Sequence, residues 1–110
     1  MNISTESLNN TKVVRFGPRL DSTNAAQLEV ALSDAIGSER SVVLDLSELE
    51  YISSAGLRVV LSIAKAANAR SGRVTLSNAQ EAVREVLVIT GFDTMLGLHA
   101  SATDAATALA

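Results

Sequence analysis

The chain has 110 residues, of which 47 % are hydrophobic and 19 % charged, with a formal net charge of −3. That composition belongs to a globular chain long enough for one domain with its own core, and excludes a disordered one. The absence of cysteine excludes a disulfide framework, a thiolate metal site and a cysteine nucleophile.

Residues 2–8 and 11–17 read as two strands joined at Asn9-Asn10, a pair that tolerates positive φ. Gly17-Pro18 breaks the second strand, because proline cannot continue a central one. In STNAAQLEVALSDAIG (22–37), Ala25, Leu28, Leu32, Ala35 and Ile36 recur at helical spacing. Asp21 or Ser22 is placed to cap that helix and Gly37 to stop it. SVVLDL (41–46) reads as a buried strand. A second helix runs from about Ser54 to Ala69, with Leu57, Val60, Leu61, Ala64 and Ala67 on one face, and Ser71-Gly72 ends it. RVTLSN (73–78) is a strand and EAVREVLVITG (81–91) a third helix closed by Gly91. A short strand near MLGLH (95–99) and an alanine-rich helix over 103–109 complete the chain. Strands separated by helices of this length imply crossover units and parallel pairing. The expectation is one α/β domain over 1–110, a mixed β-sheet with an N-terminal hairpin and about four helices.

The composition also bounds the partners. The nine basic residues are scattered and no aromatic platform accompanies them, so nucleic acid is not expected. MNISTESLNN lacks a basic segment followed by an apolar one, and no apolar run reaches the length of a bilayer span. A cytoplasmic protein with no membrane contact is the expectation. The aromatics are Phe16, Tyr51 and Phe92, so the core must be aliphatic. The single histidine, His99, is expected to be structural or solvated.

YISSAGLRVV (51–60) places four small residues between an apolar pair and a helix. Ser53 is suited to the N-cap, where its hydroxyl accepts from an otherwise unpaired backbone N–H. Ser54 then falls at the first helical position, pointing outward with no capping duty. Gly56 is less simple, since glycine costs about 1 kcal/mol against alanine inside a helix. Either it lets the helix start pack tightly against the sheet, or it keeps the helix mouth uncovered for another molecule. A helix N-terminus attracts anions, and a phosphate on Ser54 would add about −1.5 to −2 charge in that field. Serine catalysis is not indicated. A nucleophile elbow needs glycine two residues before the serine, and Ile52 stands there. No phosphate-binding G-x-x-x-x-G-K-[ST] occurs. No catalytic residue, metal or cofactor is expected.

LDLSELEYISSAGLRVVLSIAKAA (44–67) resembles the signature of the STAS domain found in bacterial anti-sigma factor antagonists. GPRLDSTNA (17–25) is similar to that family's upstream G-x-L-D element, and the order of elements agrees over about residues 10–100. The resemblance implies a non-enzymatic partner switch. The unphosphorylated antagonist binds an anti-sigma factor, a serine kinase of the histidine-kinase-like ATPase class, and so releases a sigma factor. The kinase phosphorylates a serine of the motif to weaken the complex, and a PPM-type phosphatase resets it. Carried onto this chain, Ser54 takes the place of the phosphorylated serine and Asp21 that of the acidic residue near it. Gly56 and Leu57 match the motif's Gly-Leu pair, and Asp21, Ser53, Ala55, Gly56, Leu57 and Arg58 form the implied partner-binding set.

Two positions depart from the pattern. Ser53 stands where many members carry Asp, leaving both serines open to modification; Ser54 is favoured because capping gives Ser53 a separate task. Arg58 replaces a small residue one turn beyond Ser54, close enough to meet a phosphate or a partner carboxylate. Asp21 is equally a helix cap, and Tyr51 and Ile52 read as core residues anchoring the loop. Two other readings are a receiver-like domain using Asp45 and a STAS scaffold or transporter-associated subunit. The first lacks both the acidic pair that would hold Mg²⁺ and a late lysine, none occurring after residue 65. The second differs from the antagonist in not predicting a kinase-class ATPase as partner.

Overall fold

The apolar run SVVLDL must be covered on both sides, and that requirement sets the architecture. In the computed structural model, which describes residues 2–110, it forms the central strand β4 (Ser41–Asp45) of a five-stranded sheet. The strand order is β1 (Asn2–Leu8), β2 (Thr11–Gly17), β4, β6 (Arg73–Ser77), β7 (Leu98–His99). β1 and β2 make an antiparallel hairpin and the other pairings are parallel. A separate two-stranded parallel ladder joins β3 (Arg19–Leu20) to β5 (Tyr51–Ile52). Helices α1 (Ala25–Ile36), α2 (Ser54–Ala69), α3 (Glu81–Thr90), α4 (Phe92–Leu96) and α5 (Ala102–Leu109) complete the α/β domain.

Alternation along the strands distributes the core. Val14, Phe16, Val42, Leu44 and Leu76 cluster with Leu28 and Leu32 of α1, Val60 and Ile63 of α2, and Val83 and Leu87 of α3. Val13 and Val43 turn the other way, onto Ala102 and Ala105 of α5. Burying one Leu or Val side chain contributes roughly 1.5–3 kcal/mol. The apolar face of α2 therefore outweighs the penalty of a glycine in its first turn.

Several boundaries follow the pattern and several do not. Asn9 and Asn10 adopt φ of 50° and 65° in the hairpin turn, the left-handed pair that a two-residue connection demands. Gly37 and Gly91 end α1 and α3 at φ of 61° and 80°. On α2, Leu57, Val60 and Ala67 are buried as the spacing implies, joined by Val59 and Ile63, but Leu61 and Ala64 are only half-buried. Helix α1 starts at Ala25 and not at Ser22. Among the described residues there are five helices, not about four. Met95 and Leu96 belong to the short α4, which shortens the last strand to Leu98–His99. No helix among the described residues is long and apolar enough to cross a membrane.

Asp45 closes the sheet's C-terminal edge. It is fully buried at the end of β4, accepting from the Ser47 amide at 3.0 Å, the Ser77 hydroxyl at 3.2 Å and the Asn78 side-chain amide at 2.7 Å. Arg15 of β2 approaches it to 3.7 Å. A receiver domain would need this carboxylate open to solvent, so the structure replaces that reading with an internal strut linking β2, β4 and β6. Burial pushes the Asp45 carboxyl upward, but the hydrogen bonds from Ser47 and Asn78 and the Arg15 charge outweigh it and hold the pKa below its ordinary value. A lowered folded-state pKa stabilises the fold above the unfolded-chain value of about 3.9, and that contribution is lost as pH falls through the folded value. Asp45→Asn should therefore lose about 1–3 kcal/mol at neutral pH, because it leaves buried donors without an acceptor. Urea titrations at successive pH values should show a flatter acid dependence for the variant than for the wild type below about pH 5.

Candidate functional site

The ladder between β3 and β5 is short, but it brings two helix entries side by side. Arg19 pairs with Tyr51 and Leu20 with Ile52. The Glu50 amide donates to the Pro18 carbonyl at 2.7 Å, and the Ser53 amide to the Leu20 carbonyl at 3.0 Å. Leu20 and Ile52 are buried, at 0 % and 4 % exposure. Period-two alternation sends Arg19, Tyr51, Asp21 and Ser53 to the opposite, outer side.

Ser53 is the N-cap of α2. Its backbone is extended (φ −101°, ψ 178°) and its hydroxyl accepts from the Gly56 amide at 3.3 Å. Ser54 is the first helical residue and is exposed. The capping duty and the free hydroxyl thus fall on different serines. Ala55 is half-buried and Arg58, one turn further on, is exposed.

The small residue at position 56 has a packing explanation. Gly56 is buried, and a Cβ built there would lie 2.6 Å from the Leu20 carbonyl oxygen and 2.8 Å from Ile52 Cγ1. Of the two readings of this glycine, close approach to the β3–β5 ladder is the one the structure bears out. Leu57 is also buried, at 9 % exposure. These two support the helix mouth from below and offer a partner little surface.

Asp21 is mostly covered, its side chain 12 % exposed. One carboxylate oxygen accepts from the Thr23 amide at 2.9 Å and from the Thr23 hydroxyl. The Asp21 carbonyl accepts from the amides of Asn24 and Ala25, at 3.2 and 2.8 Å. Of the two capping candidates, Asp21 closes the turn that leads into α1, while Asn24 occupies the formal N-cap without a side-chain bond. Asn24 in turn ties the β3 backbone, its side chain accepting from the Asp21 amide at 2.9 Å and donating to the Arg19 carbonyl at 2.8 Å. The Thr23 bonds, with Arg19 behind them, hold the Asp21 carboxyl below its usual pKa despite its cover.

Sequence reasoning missed Arg19. Its Nε donates to the second Asp21 carboxylate oxygen at 3.1 Å, its Nη2 lies 3.1 Å from the same oxygen as an ion pair, and its Cζ lies 4.6 Å from the centroid of the Tyr51 ring. The arginine side chain is 61 % exposed. Tyr51, expected in the core, is 45 % exposed and carries this guanidinium on its face, whereas Ile52 is core as expected. No pattern in the sequence signals a two-residue strand, so nothing there pairs residue 19 with residue 51.

Among the described residues, no group of three or more His, Cys, Asp or Glu side chains is gathered to hold a metal ion. His99 lies on an open groove of about 700 Å³ with Asn78, Gln80, Arg84 and Asp93, and its lining includes none of the residues gathered around Ser54.

A STAS domain profile matches residues 2–105. The chain belongs to the STAS domain family. A candidate anti-sigma factor antagonist of Bordetella bronchiseptica, BtrV, is 50 % identical over 74 residues, covering 66 % of this chain and 64 % of that relative. The match thus spans under two thirds of the relative's length. The structure of an anti-sigma factor antagonist from Mycobacterium paratuberculosis superposes with a TM-score of 0.85 at 26 % identity, covering 98 % of this chain and 92 % of that one. The phosphorylated form of the Bacillus cell fate determinant SpoIIAA gives 0.71 at 23 % identity, covering 99 % and 100 %; at that identity the likeness is one of fold.

The Gly56 geometry makes a prediction whose sign is diagnostic. If the glycine served only to leave the helix mouth open, Gly56→Ala would gain up to about 1 kcal/mol of helix propensity. Because the methyl group meets the Leu20 carbonyl, the variant should instead lose about 1–3 kcal/mol, read as a lower urea midpoint.

Proposed function

We propose that this protein is a cytoplasmic anti-sigma factor antagonist whose binding is switched by phosphorylation of Ser54. The unmodified form binds an anti-sigma factor serine kinase of the histidine-kinase-like ATPase class and thereby releases a sigma factor. The kinase transfers the γ-phosphoryl group of ATP to the Ser54 oxygen, and the added charge weakens the complex. A PPM-type phosphatase hydrolyses the ester and restores the binding form. The observation that carries this reading is the exposed Ser54 hydroxyl at the first position of α2, with the neighbouring Ser53 already spent on the cap. A hydroxyl so placed is open to an enzyme, and its modification leaves the cap hydrogen bond in place.

Partner contact at this end of the molecule falls to Ser54 and Arg58 at the surface and Ser53 and Ala55 at its margin. Asp21, Gly56 and Leu57 act from beneath, the first through Arg19 and the turn into α1. The charge on Ser54 lies in the favourable field of a helix N-terminus, which contributes up to about 2 kcal/mol in partly buried geometry. Phosphorylation is accordingly expected to act at the interface and to leave the fold intact.

Incubation with ATP and a candidate kinase, followed by peptide mass spectrometry, should locate the phosphate on Ser54 and not on Ser53. Ser54→Ala should bind the unmodified partner as the wild type does, and Ser54→Asp should bind about tenfold or more weakly, a change of roughly 1.4 kcal/mol. Equal affinity of both variants and the wild type would exclude the charge switch. The melting temperature of the phosphorylated domain should be unchanged or raised, and a large fall would contradict the electrostatic argument.

A further inference from the structure

We infer that Arg19 is the intramolecular ligand of the phosphoryl group on Ser54, exchanging its bond to Asp21 for one to the phosphate when that serine is modified. The inference rests on Ser54 being the modified residue and adds a regulatory element that the STAS motif does not contain.

The geometry comes from the β3–β5 ladder. Its register sets Arg19 opposite Tyr51, and the bond from the Ser53 amide to the Leu20 carbonyl carries the alignment one residue further. Asp21 therefore comes beside Ser53 on the outer side, and Ser54 follows at the start of α2. The guanidinium is tied to Asp21 at 3.1 Å, and both Arg19 and Ser54 are exposed.

Arg19 is also available. A guanidinium has five N–H donors, and the hydrogen bond to Asp21 uses only the one on Nε. Asp21 stays anchored without that bond, because its other oxygen accepts from the Thr23 amide and hydroxyl. Losing the arginine removes the one protein hydrogen bond that Asp21 Oδ2 has among the described residues, on a side chain 12 % exposed. A phosphate monoester carries about −1.5 to −2 charge and three strong acceptors, whereas Asp21 presents one charge and one oxygen. Planar bidentate geometry favours arginine with phosphate. The competition for this one cation runs toward the phosphate.

Arg58 is the obvious competitor, one turn along α2. It is exposed and makes no ion pair among the described residues. Arg58 would have to give up the rotamer freedom that Arg19 has already lost to the Tyr51 ring and the Asp21 carboxylate. Pre-positioning selects Arg19.

The test needs no kinase. Phosphoserine is introduced at position 54 during translation, and the phosphate is titrated by ³¹P NMR. A nearby cation favours the dianion, so the second phosphate pKa in the otherwise wild-type protein should lie about half a unit below that of the Arg19→Gln variant. Raising the salt to about 1 M should close most of that gap. Arg19→Lys, which keeps the charge but not the planar fork, should restore part of the shift. Arg58→Gln should leave the titration where it was. Coincident curves for Arg19 and Arg19→Gln would overturn the proposal, as would a shift carried by Arg58→Gln in place of Arg19→Gln. Failure of the chain to bind any kinase would sink the proposed function and leave this titration untouched, so the two can fail separately.

Discussion

A single backbone hydrogen bond, from the Ser53 amide to the Leu20 carbonyl, joins the entry of α1 to the entry of α2. A two-residue ladder has no stability of its own, and here it survives because side chains lock it from below. Leu20 and Ile52 are buried in the main core, and Gly56 lets the first turn of α2 come down onto both. Any side chain at position 56 would prise the helix start away from the ladder. The acidic turn at Asp21, the cap at Ser53 and the stack of Arg19 on Tyr51 would then lose their common reference. The buried glycine thus sets where the exposed groups at the helix start stand.

The same constraint explains what could be seen in the sequence and what could not. The hairpin, β4, β6 and the three longer helices were legible because each is a repeating pattern, period two or period 3.6, long enough to be counted. The cap at Ser53 and the free position at Ser54 were legible because capping chemistry is local. Arg19 and Tyr51 were not, since their relation arises from a two-residue pairing across more than thirty positions of chain. Tyr51 was assigned to the core on residue type alone, and its ring instead supports a charge at the surface. Asp45 had the opposite fate. Its position at the end of an apolar strand suggested reactivity, yet neighbours from β2 and β6 consume the carboxylate entirely.

Two serines in sequence perform what one could not. Had a single hydroxyl both capped α2 and received a phosphate, modification would trade a fold-stabilising bond for a charge, and the switch would be coupled to unfolding. With Ser53 bonded to the Gly56 amide and Ser54 outside that bond, phosphorylation of Ser54 as proposed would leave the cap in place. A phosphate on Ser54 would instead lie in the helix field, which favours it. The separation would also account for serine in place of aspartate before the proposed modification site. Serine caps as well as aspartate does, and without adding a negative charge beside the one to be installed.

That absent charge bears on the electrostatics of the proposed switch. Over residues 19–25 and 53–58 the only charged side chains are Arg19, Asp21 and Arg58, which makes two positive charges against one negative, a net of one positive. A phosphoryl group of about −1.5 to −2 would carry that local sum below zero. An aspartate at position 53 would start the patch at neutrality, so the same phosphate would add charge without reversing its sign. Reversal would discriminate more sharply than increment, because an acidic partner surface would meet attraction in one proposed state and repulsion in the other. On the proposed switch, serine at position 53 and arginine at 58, both at the start of α2, and Arg19, brought alongside by the β3–β5 ladder, act as one electrostatic set.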